Sequence, residues 1–149
     1  MQVITATQWT NEIGPLTQRV MTFSQMISDR AKSQQGSIDW SPLAALVATD
    51  HFVRVGAYME VMNWTEYTNF LSEWAGVTRF ESTILRIMEA GNRVTMQIEE
   101  RHYKDEEFIR KNVLSIFEFD DRHMIVRLDI YEQAKDSGQW IIDAATRRG

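Results

Sequence analysis

The side chains that could do chemistry in this chain gather in two short strings, Arg101-His102-Tyr103 and Arg127-Leu128-Asp129. The first offers a cation, an imidazole and a phenol, enough to orient a carboxylate, move a proton and stabilise an oxyanion. The second sets a carboxylate two residues from a guanidinium, so that on a strand both share one face. In a cavity Asp129 would serve as acid or base. Desolvation raises a carboxylate pKa and a neighbouring arginine lowers it, and a base that works near neutral pH needs the two in balance. On a wetted face the same dyad is an ordinary surface ion pair.

Other chemistries find less support. His51, His102 and His123 are scattered, without His-x-His or His-Glu-x-x-His spacing, so no metal site is expected, and no cofactor is implied. The chain has no Cys, which removes disulfides, thiol nucleophiles and Cys-ligated zinc. Its glycines are isolated and form no phosphate-cradling loop. A net charge of -5, with basic residues spread along the chain, argues against nucleic acid or anionic lipid as a partner. The N-terminal residues lack a basic region followed by a long apolar run, and no apolar run approaches membrane-spanning length, so a cytoplasmic protein is expected.

The elements that must position these groups can be read from periodicity. Leu16, Val20, Phe23 and Ile27 recur at helical spacing, and the polar tract Ser33-Gln34-Gln35-Gly36-Ser37 predicts a loop after them. Ser41-Pro42 predicts a short helix running to about Ala48, and His51 to Val55 a short strand. Asn63 and Glu66 have capping-box spacing, so a helix should begin there, carry Tyr67, Phe70, Leu71 and Trp74 on one face, and end at Gly76. Tyr67 and Trp74 are candidates for contact with a flat apolar ligand, or simply core.

After Gly76 the chain reads as strand, in runs at about 79–88, 93–103, 108–119 and 124–133. The connections are short, which predicts an antiparallel meander. Ser137 to Ala144 suggests a short C-terminal helical turn, with a frayed tail from Thr146. At 149 residues the chain has the size of a single domain. Helices first and a curved, mostly antiparallel sheet afterwards is an α+β order, a cone whose helices cover one sheet face and leave a pocket between. Only one face of the 93–103 run can point into such a pocket. Val94, Met96 and Ile98 would bring His102 inward; Arg101 and Tyr103 lie on the opposite face, unless a bulge near Glu99-Glu100 reverses the parity.

This order of elements, with Ala48-Thr49-Asp50-His51-Phe52, Glu100-Arg101 and Phe117-Glu118-Phe119-Asp120 through Ile130-Tyr131, resembles the nuclear transport factor 2-like superfamily, SnoaL-like group. The resemblance spans about Leu16 to Gln133 and implies a cone-shaped (cystatin-like) α+β barrel, a hydrophobic small-molecule ligand and a homodimer built on the outer sheet face. Against the limonene-1,2-epoxide hydrolase branch, Glu100-Arg101 falls on a Glu-Arg pair and Asp129 on one of two catalytic aspartates. Val53, Val55 and Tyr103 stand where that branch carries further polar groups. The resemblance thus implies a pocket with Asp129 as acid or base, Arg101 or Arg127 beside it, Tyr103 as hydrogen-bond donor, and Val53, Val55 and Tyr131 in the lining. The expected activity is acid/base chemistry of the isomerase, cyclase, dehydratase or hydrolase kind. A non-catalytic ligand-binding or dimerisation module on the same fold is the alternative.

Overall fold

The computed structural model describes residues 14–33, 38–135 and 138–147. The polar tract at Gln34 to Ser37, Ser137 and the last two residues of the tail lie outside them. Helix α1 (Pro15–Ser33) presents Leu16, Val20 and Phe23 to the core, as its helical spacing dictates. Helix α2 (Ser41–Ala44) has proline in its first turn. It is shorter than its sequence suggests, because Val47 leaves the helix to bridge to Ile125 in the sheet. Strands β1 (Val53–Val55) and β2 (Val61–Met62) form a small hairpin.

Helix α3 (Trp64–Val77) starts on the expected capping box: the Asn63 side chain accepts from the Glu66 amide at 2.9 Å, and the Glu66 carboxylate accepts from the Asn63 amide at 3.0 Å. It does not stop at Gly76. The helix runs on to Val77, and Thr78 ends it in extended backbone, feeding directly into the sheet. Four long strands follow, β3 (Arg79–Ala90), β4 (Arg93–Lys104), β5 (Glu107–Phe119) and β6 (Ile125–Gln133), then helix α4 (Gln139–Thr146). Each tight connection contains one residue with positive φ, Gly91, Asp105 and His123 in turn. Among the described residues no helix is long and apolar enough to cross a membrane.

The strands form one curved, unclosed sheet in the order β2-β1-β6-β5-β4-β3. The meander β3 to β6 is antiparallel as predicted, and β1 closes on β6 in parallel, which makes the sheet mixed. One face packs under α1 and α3 around Phe23, Leu71, Met96, Phe117 and Leu128.

Two register shifts decide what faces the core. One lies on β3, where Leu85 is an extra residue between the pairs Ile84↔Ile98 and Arg86↔Gln97. The other lies on β6, where Val126 is passed over between Arg127 and Ile125. Strand β4 has no bulge at Glu99-Glu100: its pairing with β5 is continuous from Arg93↔Glu118 to Lys104↔Glu107. Parity along β4 is therefore never reversed, and its even-numbered residues face inward over the whole length.

Candidate functional site

A cavity of about 140 Å³ lies between the sheet and the helices. Its apolar end is walled by Phe23 from α1, Met96 and Ile98 from β4, Phe117 from β5 and Leu128 from β6. Toward the other end of the cone the same inward rows turn polar. On β4 the row continues to Glu100 and His102, on β5 to Lys111, and on β6 to Glu132; β1 contributes Arg54. The β1–β2 turn adds Tyr58 and Glu60, and α3 contributes Tyr67, Phe70 and Trp74 to the lining.

These groups are wired in three sets. Trp74 Nε1 donates to His102 Nδ1 at 3.3 Å, and His102 Nε2 lies 3.1 Å from Glu100 Oε1. An indole nitrogen can only donate, so Nδ1 is the unprotonated ring nitrogen and Nε2–H donates to the Glu100 carboxylate. Lys111 Nζ lies 3.2 Å from Glu132 Oε2, and the Tyr58 hydroxyl donates to Glu132 Oε1 at 3.1 Å. Arg54 pairs with Glu60 at 3.2 Å and its guanidinium sits 5.1 Å from the centres of both the Tyr67 and Phe70 rings. Glu60 reaches this position across Gly56, where a Cβ would meet its Oε1 at 1.6 Å; only glycine leaves that room.

Electrostatics sort the roles. Burial alone would push the Glu100 carboxyl up, but the hydrogen bond from His102 and the charges of Lys111 and Arg54 together outweigh it, and Glu100 is held below the ordinary glutamate range. Glu100 and Lys111 are direct cross-strand partners, which brings that cation close. Burial raises the Tyr67 phenol above its usual value; Glu100 adds to the rise and Arg54 only partly offsets it. The cavity therefore holds an ionised carboxylate and a phenol that keeps its proton; at neutral pH Glu100 is able to accept a proton, and its lowered value makes it a weaker base than an ordinary glutamate.

The outward face takes most of the residues that the sequence singled out. Arg127 and Asp129 form a two-pronged pair at 2.8 and 3.0 Å on the far side of β6, where they hydrogen-bond each other and do not line the cavity. The hydrogen bond and charge of Asp129 hold the Arg127 guanidinium above its ordinary value. Val53 and Val55 pair with Arg127 and Asp129 and share their outward face, so that Arg54 between them is the inward residue of β1. Arg101 is bound outside by Glu99 at 2.9 Å, by Thr83 at 3.1 Å and by Glu81 at 3.5 Å. Tyr103 stacks under Arg79 at 4.1 Å and against Phe108, and Tyr131 is exposed. His102, Tyr67 and Trp74 do line the cavity. The physical reason for the split is parity: the odd residues of β4 and β6 face away from the helices, and the inward acids Glu100 and Glu132 are even-numbered where the expected Asp129 is odd.

Arg54, Glu60, Lys111 and Glu132 carried no signal as separate residues. A signal did exist in the rows: Val94-Met96-Ile98, Val113-Phe117 and Leu128-Ile130 each lead, by alternation, to a charged residue at the same end of the sheet. His51 and His123 are exposed. Among the described residues no group of three or more His, Asp or Glu side chains is placed to hold a metal ion.

No protein-family model matches the chain, and no curated protein matches it by sequence. Its backbone is nevertheless similar to solved structures. An LEH-like epoxide hydrolase from M. tuberculosis superposes with a TM-score of 0.61 at 18% identity, covering 80% of this chain and 86% of that one. A steroid delta-isomerase from Pseudomonas aeruginosa gives 0.64 at 15% identity over 92% and 93% of the two chains. A candidate SnoaL-like polyketide cyclase from Jannaschia sp. CCS1 gives 0.63 at 11% identity over 93% and 99%. With helices laid over one face of a curved six-stranded sheet, the chain has the fold seen in solved nuclear transport factor 2-like and SnoaL-like structures.

Proposed function

We propose that the chain is a small-molecule enzyme that holds a hydrophobic substrate in the cone and acts on it by acid/base chemistry of its own side chains. The observation that carries this reading is the set of buried Trp74 and His102 with half-buried Glu100, sharing the polar end of an otherwise apolar cavity with Tyr67. Ion pairs placed in a protein interior seldom stabilise a fold more than apolar residues of the same size would. A cluster of them aimed into a cavity is a frequent mark of function. Glu100 is the base, oriented by His102. It removes a proton from a carbon next to a substrate carbonyl, and the charge that develops on the carbonyl oxygen is met by the Tyr67 hydroxyl and the neighbouring Arg54 cation.

The reaction class that fits is isomerisation or cyclisation through an enolate; dehydration begins from the same proton abstraction. Size narrows the substrate. An apolar cavity of about 150 Å³ takes a benzene-sized guest, so a space of about 140 Å³ suits a single ring more than a fused polycycle.

The test is deuterium exchange into the α-positions of five- to seven-membered cyclic ketones and enones in heavy water, followed by proton NMR. The chain should speed exchange above buffer, and Glu100→Gln should lower it by about 100-fold or more. No acceleration across that panel would sink the reading. Loss of exchange in Asp129→Asn with retention in Glu100→Gln would move the chemistry to the outer face of β6.

A second reading, a ligand-binding module without catalysis, is favoured by one feature: Arg54, Lys111 and His102 each already have a carboxylate partner. It predicts saturable ligand-induced shifts, equal in the native chain and in Glu100→Gln, without exchange.

A further inference from the structure

The acid/base reading leaves one reactive group in the cavity unused. Lys111 is 3% exposed and projects from β5 into the cone. The chain has four lysines. Lys32 and Lys135 are exposed, and Lys104 is half-buried with its ammonium over the Trp140 ring. Only Lys111 among them faces the cavity. Its Nζ is 3.2 Å from Glu132 Oε2, while Tyr58 steadies the other Glu132 oxygen. Glu100 stands directly across on β4.

We propose that Lys111 is an amine nucleophile that condenses with the aldehyde or ketone carbonyl of a small ligand in this cavity, with Glu132 as its proton carrier. The inference rests on the cavity being a carbonyl-binding site, but not on Glu100 being the base. The lysine ammonium passes a proton to Glu132. The freed nitrogen lone pair attacks the carbonyl carbon, the carbonyl electron pair moves to oxygen, and a proton passes from nitrogen to that oxygen to give a carbinolamine. Glu132 then returns its proton to the hydroxyl, the carbon–oxygen bond breaks, and water leaves as the nitrogen lone pair forms the carbon–nitrogen double bond.

One ammonium and one carbonyl become one iminium and one water. The charge at Nζ is positive before and after, so Glu132 and Glu100 keep a cation between them, and the buried charge balance is undisturbed. That balance separates Lys111 from a lysine in a purely apolar pocket, where the iminium would lack a counter-ion. It also gives Glu100 a better substrate, because a carbon next to an iminium loses its proton more readily than one next to a ketone.

The experiment traps the iminium. The full chain is incubated at neutral pH with cyclopentanone and sodium cyanoborohydride, which reduces an iminium to a stable secondary amine, and peptides are mapped by mass spectrometry. Modification of Lys111 ahead of the more exposed Lys32, Lys104 and Lys135 is the expected result. Modification confined to those three lysines and the N-terminal amine overturns the proposal. Lys111→Arg keeps a cation beside Glu132, so it should retain the native circular dichroism spectrum and lose that adduct alone; an unchanged total adduct count in this variant also overturns it. Glu132→Gln should slow trapping at Lys111 without changing it at Lys135, and equal rates would remove Glu132 from the role. Ketone deuterium exchange without a Lys111 adduct defeats the imine alone. An adduct that persists in a chain showing no exchange defeats the Glu100 role alone.

Discussion

Trp74 illustrates how much one donor can settle. Its indole N–H removes the choice of tautomer from His102, and His102 in turn aims its remaining N–H at Glu100. Replacing Trp74 by Phe keeps a ring against Phe80, to which Trp74 packs edge-on at 4.9 Å, but strips Nδ1 of its donor. Nitrogen-15 spectra of His102 should show a single tautomer protonated at Nε2 in the native chain and a tautomer mixture in Trp74→Phe. Leaving a buried acceptor unsatisfied should also cost about 1–3 kcal/mol in a urea titration. A single unchanged tautomer in the variant would show that Glu100, not Trp74, sets the ring. The contrast with Asp129 belongs to the same scale. Asp129 and Glu132 lie on one strand, and the difference of a single parity step separates a surface pair with Arg127 from a carboxylate in the cavity wall.

At the scale of elements, α3 and the β-bulges decide where those side chains end up. The capping box that starts α3 was plain in the sequence because its partners are three residues apart and need no tertiary help. Asn63→Ala should therefore lower stability by about 1 kcal/mol, read as a shift of the urea midpoint with unchanged slope. An unmoved midpoint would mean that tertiary packing alone holds the start of α3. Gly76 was misread for the opposite reason: a glycine near a helix end is a local signal, and the run of Thr78 into β3 overrides it. The expected bulge is the larger lesson. A bulge does occur, but at Leu85 on the edge strand β3, where it costs one ladder and spares β4.

For the whole molecule, the buried ionisable groups make stability depend on pH in a defined direction. Glu100 is held below its unfolded value, so between the two values the unfolded chain binds the extra proton. Its contribution is complete above about pH 4.3, the unfolded glutamate value, and is lost as pH falls through the depressed value of the folded chain. Urea midpoints should decline on the acid side and decline less steeply in Glu100→Gln. Tyr67 has the opposite sign at the other end: its raised value means that stability is full below about pH 10 and drains as pH rises beyond it. A Glu100→Gln profile parallel to that of the native chain below pH 5 would contradict the assignment of Glu100 as an ionised buried group.

By itself the sequence determined the α+β order, the capped third helix and the four-strand meander, since these rest on spacing within single segments and on the short connections between them. It left open which face of the 93–103 strand turns inward and whether Tyr67 and Trp74 line a pocket or fill the core; the structure sets His102, Tyr67 and Trp74 against the cavity. Only the tertiary structure decided which acids and cations meet. Glu100, Lys111, Glu132 and Arg54 come from four different strands, and their convergence depends on register between strands and on the parallel closure of β1 onto β6, neither of which leaves a trace in the spacing of any one segment.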